Sequence, residues 1–206
     1  MRGNLYDLMS STTTNAGLKI LEQKQDAKCA LQEELGWPEE PRRPILCLPM
    51  EMTDANGGAL LRQLLPGLIA LPIAILIRGK GSEEYGALFT KLTKTHDYRI
   101  AIIPDDERMC ERMYAAADMS LFLSAADDTP ELQSALGAGA IPIAPTTQAL
   151  EDYDPIQERG TAFLYEPASV WHCYASLVRA LETYKLPFDW KTIQKHDLML
   201  VNASPA

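Results

Sequence analysis

Short apolar runs set between longer stretches of helical spacing constrain this chain more than any other feature. Ile45 to Leu48, Pro72 to Ile77, Arg99 to Ile103, Met119 to Leu123 and Ile141 to Ala144 each carry a few consecutive apolar residues, and Thr161 to Tyr165 reads as a sixth run. Runs of this length without polar alternation are the pattern of strands covered on both faces. The segments between them have helical periodicity. Ala59 to Leu65 is one, and the segment with Tyr85, Leu88, Phe89 and Leu92 on one face is the next. Asp105 to Ala117, with Met109 and Met113 four apart, and Glu131 to Gly139 follow. Strands alternating with helices predict an α/β class: a Rossmann-like, doubly wound parallel sheet, whose ligands sit at the C-terminal ends of the strands.

The flanks complete the domain. Ala16 to Leu35 favours helix, with Ala27, Ala30, Leu31 and Leu35 on one face and Gly36 as its stop. Residues 1–15, polar and rich in Ser and Thr, are expected to be a flexible N-terminus, with the domain spanning 16–206. Trp37 to Pro44 holds three prolines and reads as a connector. The apolar stretch Leu64 to Ile77 is interrupted by Pro66, Gly67 and Pro72, which predicts helix, turn and buried strand. The last strong helix spans about Ala168 to Tyr184, and its stripe of Val170, Trp171, Tyr174, Leu177, Val178 and Leu181 reads as core. No internal repeat, low-complexity tract or long linker is found.

At 206 residues with a net charge of −9, the chain is sized for one domain and ill suited to nucleic acid or an anionic membrane. No apolar run reaches the ~18 residues that suggest a membrane span. The four cysteines, Cys29, Cys47, Cys110 and Cys173, form no C-x-x-C pair and read as buried thiols of a reducing compartment. With no secretory signal visible, the expected location is cytoplasmic.

Few residues point to chemistry. Arg78 and Lys80 flank the glycines of a strand-to-helix turn, Arg78-Gly79-Lys80-Gly81, which suits either a phosphate contact or a plain solvated turn. Asp127, Asp128 and Glu131 have a sugar-hydroxyl reading, and Thr129 or Asp128 has a helix-capping one. Gly57-Gly58 and Thr146 to Ala149 complete the strand-end segments where a ligand is expected, Thr147 being the candidate in the second. His96, His172 and His196 lie on separate elements without ligand spacing, so neither a metal nor a cofactor is expected. Ser124 has no context for a nucleophile.

Four stretches, taken in order, resemble the C-terminal half of the glycogen and starch synthase family, retaining glycosyltransferases of the GT-B fold. Lys28 to Trp37, KCALQEELGW, is similar to NK-x-x-LQ-x-x-LGL, and Ile75 to Glu83, ILIRGKGSE, to a strand followed by G-x-G-[DE]. Arg112 to Ser124, RMYAAADMSLFLS, is similar to RIYAGAD-x-x-L-x-PS, and Gly139 to Ile143, GAIPI, to GTIPI. Thr147 to Asp152 and Thr161 to Phe163 are fainter echoes of T-G-G-L-x-D and T-G-F. The resemblance covers about Asp26 to Trp190. It implies a single C-terminal GT-B domain and, as ligands, a sugar nucleotide (ADP-glucose or UDP-glucose) or an α-glucan.

The chain departs from the family where the family's chemistry lies. The family places an Arg and a Lys after the first strand of this half, where they neutralise a diphosphate leaving group. Pro49 to Gly58 has neither, and carries Glu51 and Asp54. The family's Glu-Pro-x-Gly turn is replaced by Asp127-Asp128-Thr129-Pro130, without the glycine. The T-G-G-L turn has Gln148 and Ala149 for its glycines. The family's other half, with its K-x-G-G-L loop, lies outside the 206 residues. The resemblance therefore implies a domain that does not catalyse alone, with a residual sugar-nucleotide, glucan or regulatory role. The alternative is the nucleotide-sugar half of an active glucosyltransferase whose N-terminal half comes from a protein partner or has been removed. A Rossmann-like domain of another class, such as an epimerase, is disfavoured by the order of ALQEELG, AAAD and GAIPI.

Overall fold

The computed structural model describes residues 5–167 and 169–203. α1 (Leu5–Glu34) leads into β1 (Ile45–Leu48). Then come α2 (Gly58–Ala70), β2 (Ala74–Arg78), α3 (Glu83–Thr95), β3 (Ile100–Ile103), α4 (Glu107–Ala116) and β4 (Met119–Leu121). α5 (Pro130–Gly137), β5 (Ile141–Pro145), β6 (Phe163–Tyr165), α6 (Val170–Tyr184) and α7 (Pro187–Ala203) complete the order.

The six strands make one sheet in the order β3-β2-β1-β4-β5-β6, and every neighbouring pair is parallel. This is the expected Rossmann-like sheet. Alternate residues of each strand feed different cores. Leu46, Leu48, Ile75 and Ile77 pack with Leu61, Leu64, Phe89 and Leu177, from α2, α3 and α6. Ile45, Cys47, Ala74 and Leu76 pack with Leu31, Met113 and Leu136, from α1, α4 and α5. Burial on both faces is why the strands read as continuous apolar runs.

Lys28 and Asp118 anchor the N-terminal pole of the sheet. Asp118 Oδ2 accepts from Lys28 Nζ at 2.7 Å and from the Ile45 amide at 2.8 Å. Gln32 holds the proline-rich connector, its Oε1 accepting from the Glu40 amide at 3.1 Å. The KCALQEELGW stretch is thus a structural clamp at the end of the sheet opposite the expected ligand site.

Four expectations change. The first helix extends back to Leu5, into the segment expected to be flexible; residues 1–4 lie outside the described residues. α2 runs through Pro66 and Gly67 to Ala70 instead of turning there. Pro66 removes one backbone hydrogen bond, but the buried leucines Leu64 and Leu68 hold the helix against the sheet on either side of it. Gly67 serves packing: a Cβ there would lie 2.7 Å from the ring of Tyr174 on α6. Trp171, expected in the core stripe, is 81% exposed. Finally, α7 was not anticipated. Its buried positions Trp190, Ile193 and Leu198 are interleaved with buried Gln194 and Asp197, so no clean apolar stripe marks it.

Candidate functional site

The strand order reverses between β1 and β4, so the C-terminal pole there is the switch point at which this architecture places its ligand crevice. The expected ligand segments all meet there, at the ends of β1, β2, β4 and β5. What each residue does in that place follows from its contacts.

Gly57 and Gly58 close the β1 loop rather than open it. Gly57 has φ +86°, and a Cβ would lie 2.5 Å from the Leu123 carbonyl oxygen, so the loop lies directly on the end of β4. Gly58 is buried beneath the Tyr85 ring, where a Cβ would lie 2.1 Å from the phenolic oxygen. Tyr85 donates to Asp54 Oδ1 at 2.5 Å and accepts from Arg62 Nε at 3.2 Å. Both glycines are therefore required by the packing of protein on protein.

The Gly79–Gly81 turn is likewise stitched shut. The Gly79 amide donates to Ile103 O at 2.7 Å, Lys80 to Arg78 O at 2.8 Å and Ser82 to Met52 O at 3.1 Å. Those N–H groups are committed to carbonyls, so the turn is not an open cradle of donors for an anion. Lys80 itself is exposed and makes no ion pair among the described residues.

Arg78 lies at the end of β2, and its charge is matched from two sides. Its Nε lies 2.5 Å from Asp105 Oδ1, and its Nη1 lies 2.8 Å from Glu131 Oε1 and 3.3 Å from Pro49 O. Burial works against the charged guanidinium, but the hydrogen bonds to Asp105 and Glu131 outweigh it and hold its pKa above the ordinary value. Sequence reasoning missed this pairing. The only signal was the pair of acidic residues placed after β3 and at the start of α5.

The acidic turn divides its roles. Thr129 is the N-cap of α5, its Oγ1 accepting from the Leu132 amide at 3.3 Å, which bears out the capping reading for that residue. Asp128 takes the left-handed conformation, φ +58°, that a glycine adopts more readily. Asp127 is exposed and accepts a hydrogen bond from the Thr147 hydroxyl, which itself accepts from the Ala149 amide at 3.1 Å. Asp127 and Thr147 thus tie the β4 loop to the β5 loop.

The crevice is rich in negative charge. Glu51, Asp54, Asp105, Asp106, Asp127, Asp128 and Glu131 follow or flank β1, β3 and β4, against the two cations Arg78 and Lys80 at the end of β2. Among the described residues, no cluster of His, Cys, Asp and Glu has the arrangement of a metal site, and no helix is long and apolar enough to cross a membrane.

No protein-family model matches the chain. It is 31% identical over 183 residues to the glycogen synthase of Streptococcus equi subsp. equi, covering 85% of this chain and 38% of that protein. It is 28% identical over 192 residues to the glycogen synthase of Fervidobacterium nodosum, covering 90% of this chain and 39% of that one. The chain therefore spans well under half the length of these curated relatives. Among solved structures, the catalytic domain of starch synthase IV from Arabidopsis thaliana, bound to ADP and acarbose, superposes with a TM-score of 0.74 at 20% identity. That match covers 90% of this chain and 40% of the other. The C-terminal domain of a group 1 glycosyl transferase, LpcC from Francisella tularensis, superposes with a TM-score of 0.64 at 16% identity, covering 86% of this chain and 92% of that domain. Over most of its length this chain is similar to glycogen synthases, and it has the Rossmann-like fold of a GT-B glycosyltransferase C-terminal domain.

Proposed function

We propose that the chain is a glycogen/starch synthase-like domain that does not transfer glucose by itself and retains at most a weak sugar-nucleotide or glucan-binding, or a regulatory, role. The pairing of Arg78 with Asp105 and Glu131 carries this reading. A diphosphate leaving group needs uncompensated positive charge aimed at it as the bond breaks. Here Arg78, the cation fixed in place at the end of β2, is already answered by two carboxylates, and the β1 loop adds Glu51 and Asp54 without a cation. The starch synthase neighbour is bound to ADP and acarbose, and the HepE neighbour from Anabaena to UDP and glucose; these ligands define what to test.

Losing one transition-state donor typically costs ~2.7–4 kcal/mol, about 10² to 10³ in rate. The decisive assay is incorporation of radiolabelled glucose from ADP-glucose and UDP-glucose into glycogen by the purified chain. No incorporation above background is expected. A turnover on the order of 1 s⁻¹, in the range of ordinary enzymes, would overturn the proposal.

A second reading has one observation behind it. Lys80 is exposed at the crevice without an ion pair among the described residues, so it is free to meet a diphosphate. In that reading the chain is the nucleotide-sugar half of an active glucosyltransferase and works with a protein partner that supplies the other half. Activity that appears only when such a half is added, and is lost in Lys80→Ala, supports it.

A further inference from the structure

A cavity lies at the opposite pole of the sheet from the crevice. It encloses about 940 Å³ between α1, the connector before β1, and the α6–α7 corner. That volume is in the range of small-molecule sites. Six cations line it, Lys24, Lys28, Arg42, Arg43, Lys185 and Lys191, against the two carboxylates Asp118 and Glu182. This is a concentration of positive charge in a chain whose net charge is −9.

The cations fall into two groups. Lys24 and Lys28 are buried, and their ammonium groups are held in place by protein. Lys24 Nζ donates to Ala138 O at 2.8 Å and to Ala115 O at 3.3 Å; Lys28 Nζ pairs with Asp118 at 2.7 Å. Arg43 and Lys185 sit in surface pairs with Glu40 and Glu182. Arg42 and Lys191 are exposed, make no ion pair among the described residues, and come from the connector and from α7. Leu71, Val178, Leu181 and Trp190 supply apolar wall between them.

We propose that this cavity is a second ligand site, for a small multivalent anion of the phosphate class, with Arg42 and Lys191 as its direct contacts and Lys24 and Lys28 setting the potential of its floor. A monovalent carboxylate would leave most of the excess positive charge unmatched, and the net charge of −9 disfavours a long nucleic-acid strand. Burial lowers the Lys24 pKa to about 8; Asp118, Cys47 and Asp197 oppose that shift and the neighbouring Lys28 adds to it. A bound anion therefore draws a proton onto Lys24 near that pH.

The test uses pyrophosphate as probe, by isothermal titration with the intact chain. Saturable binding is expected, with proton uptake near pH 8, and a loss of at least ten-fold in Arg42→Glu/Lys191→Glu. The neutral variant Arg42→Gln/Lys191→Gln should show a smaller loss. Both positions are exposed, and far-UV circular dichroism checks that the variants fold. Three outcomes overturn the proposal. One is no saturable binding. Another is unchanged affinity in the double variants with loss in Lys80→Ala, which moves the anion to the crevice. The third is tighter binding of a single-stranded RNA oligomer than of pyrophosphate, which makes the surface a polymer site.

Discussion

Glu131, in the first turn of α5, reaches 2.8 Å from its Oε1 to Nη1 of Arg78, at the end of β2, across 53 residues of sequence. Asp105 closes the same guanidinium from the β3 loop at 2.5 Å. The crevice therefore holds its main cation against two carboxylates, a cluster with one more negative charge than positive; in the function proposed here, this weakens its attraction for a diphosphate.

Releasing that cation should restore anion affinity. The variant Asp105→Asn/Glu131→Gln keeps the shape of both side chains and removes both charges. ADP titrated calorimetrically into it is expected to bind several-fold more tightly than to the parent chain. The Arg78 side chain is only 16% exposed, and the double variant leaves it Asn and Gln carbonyls and Pro49 O in place of two carboxylates, so a stability loss of ~1–3 kcal/mol is expected beside the gain in binding. Equal or weaker ADP binding would show that Arg78 does not face the ligand.

The Lys28–Asp118 pair is a stability element far from the crevice. Lys28→Met leaves Asp118 buried without its cation, and breaking a buried pair on one side costs ~3–5 kcal/mol. Urea unfolding should show a loss of that order, while ligand binding at the crevice, measured on the folded fraction, stays unchanged. A loss below about 1 kcal/mol would mean that water reaches Asp118.

Gly57→Ala tests the closed β1 loop. The backbone is at φ +86° and the added methyl meets Leu123 at 2.5 Å. The left-handed conformation alone costs a non-glycine residue ~1–2 kcal/mol, and the contact with Leu123 adds to it. The urea midpoint should fall by the equivalent of about 2 kcal/mol or more. A neutral result would show that the loop can lift away from β4.

Lys24 makes stability depend on pH. Its pKa is about 8 in the fold against 10.5 in the unfolded chain, because burial disfavours the ammonium. Between these values the unfolded state binds more protons, so this group's contribution to stability rises with pH, by up to ~1.4 kcal/mol per unit. Cys47 and Cys173 act in the opposite sense from about pH 9 upward, since burial pushes both thiols up to about 12. The prediction is therefore a difference: from pH 7.5 to pH 9.5 the parent chain gains stability relative to Lys24→Met. Parallel unfolding curves across that interval would refute it.

Much of the architecture was legible in the sequence because strands buried on both faces must be apolar throughout. Ile45–Leu48, Ala74–Arg78 and Ile141–Pro145 lie where their runs predict, and the alternation with helices led directly to a parallel sheet and its switch point. The sequence also marked Gly57, Arg78, Asp127, Thr129 and Thr147 as the residues of the strand ends. It left their roles open, because those roles depend on partners far along the chain. Only the folded chain brings Asp105 and Glu131 onto Arg78, and Thr147 onto Asp127. The same holds for α7, whose buried Gln194 is satisfied by Gly139 O at 2.8 Å, a bond that no periodicity announces. Pro66 stays helical because leucines on both sides of it are buried, and Trp171 stays exposed because it lies off the face of α6 that buries Cys173, Leu177 and Ala180. Local pattern determined which segments could be strands and helices. Tertiary contact decided which charges face one another, and that decides what a crevice or a cavity can hold.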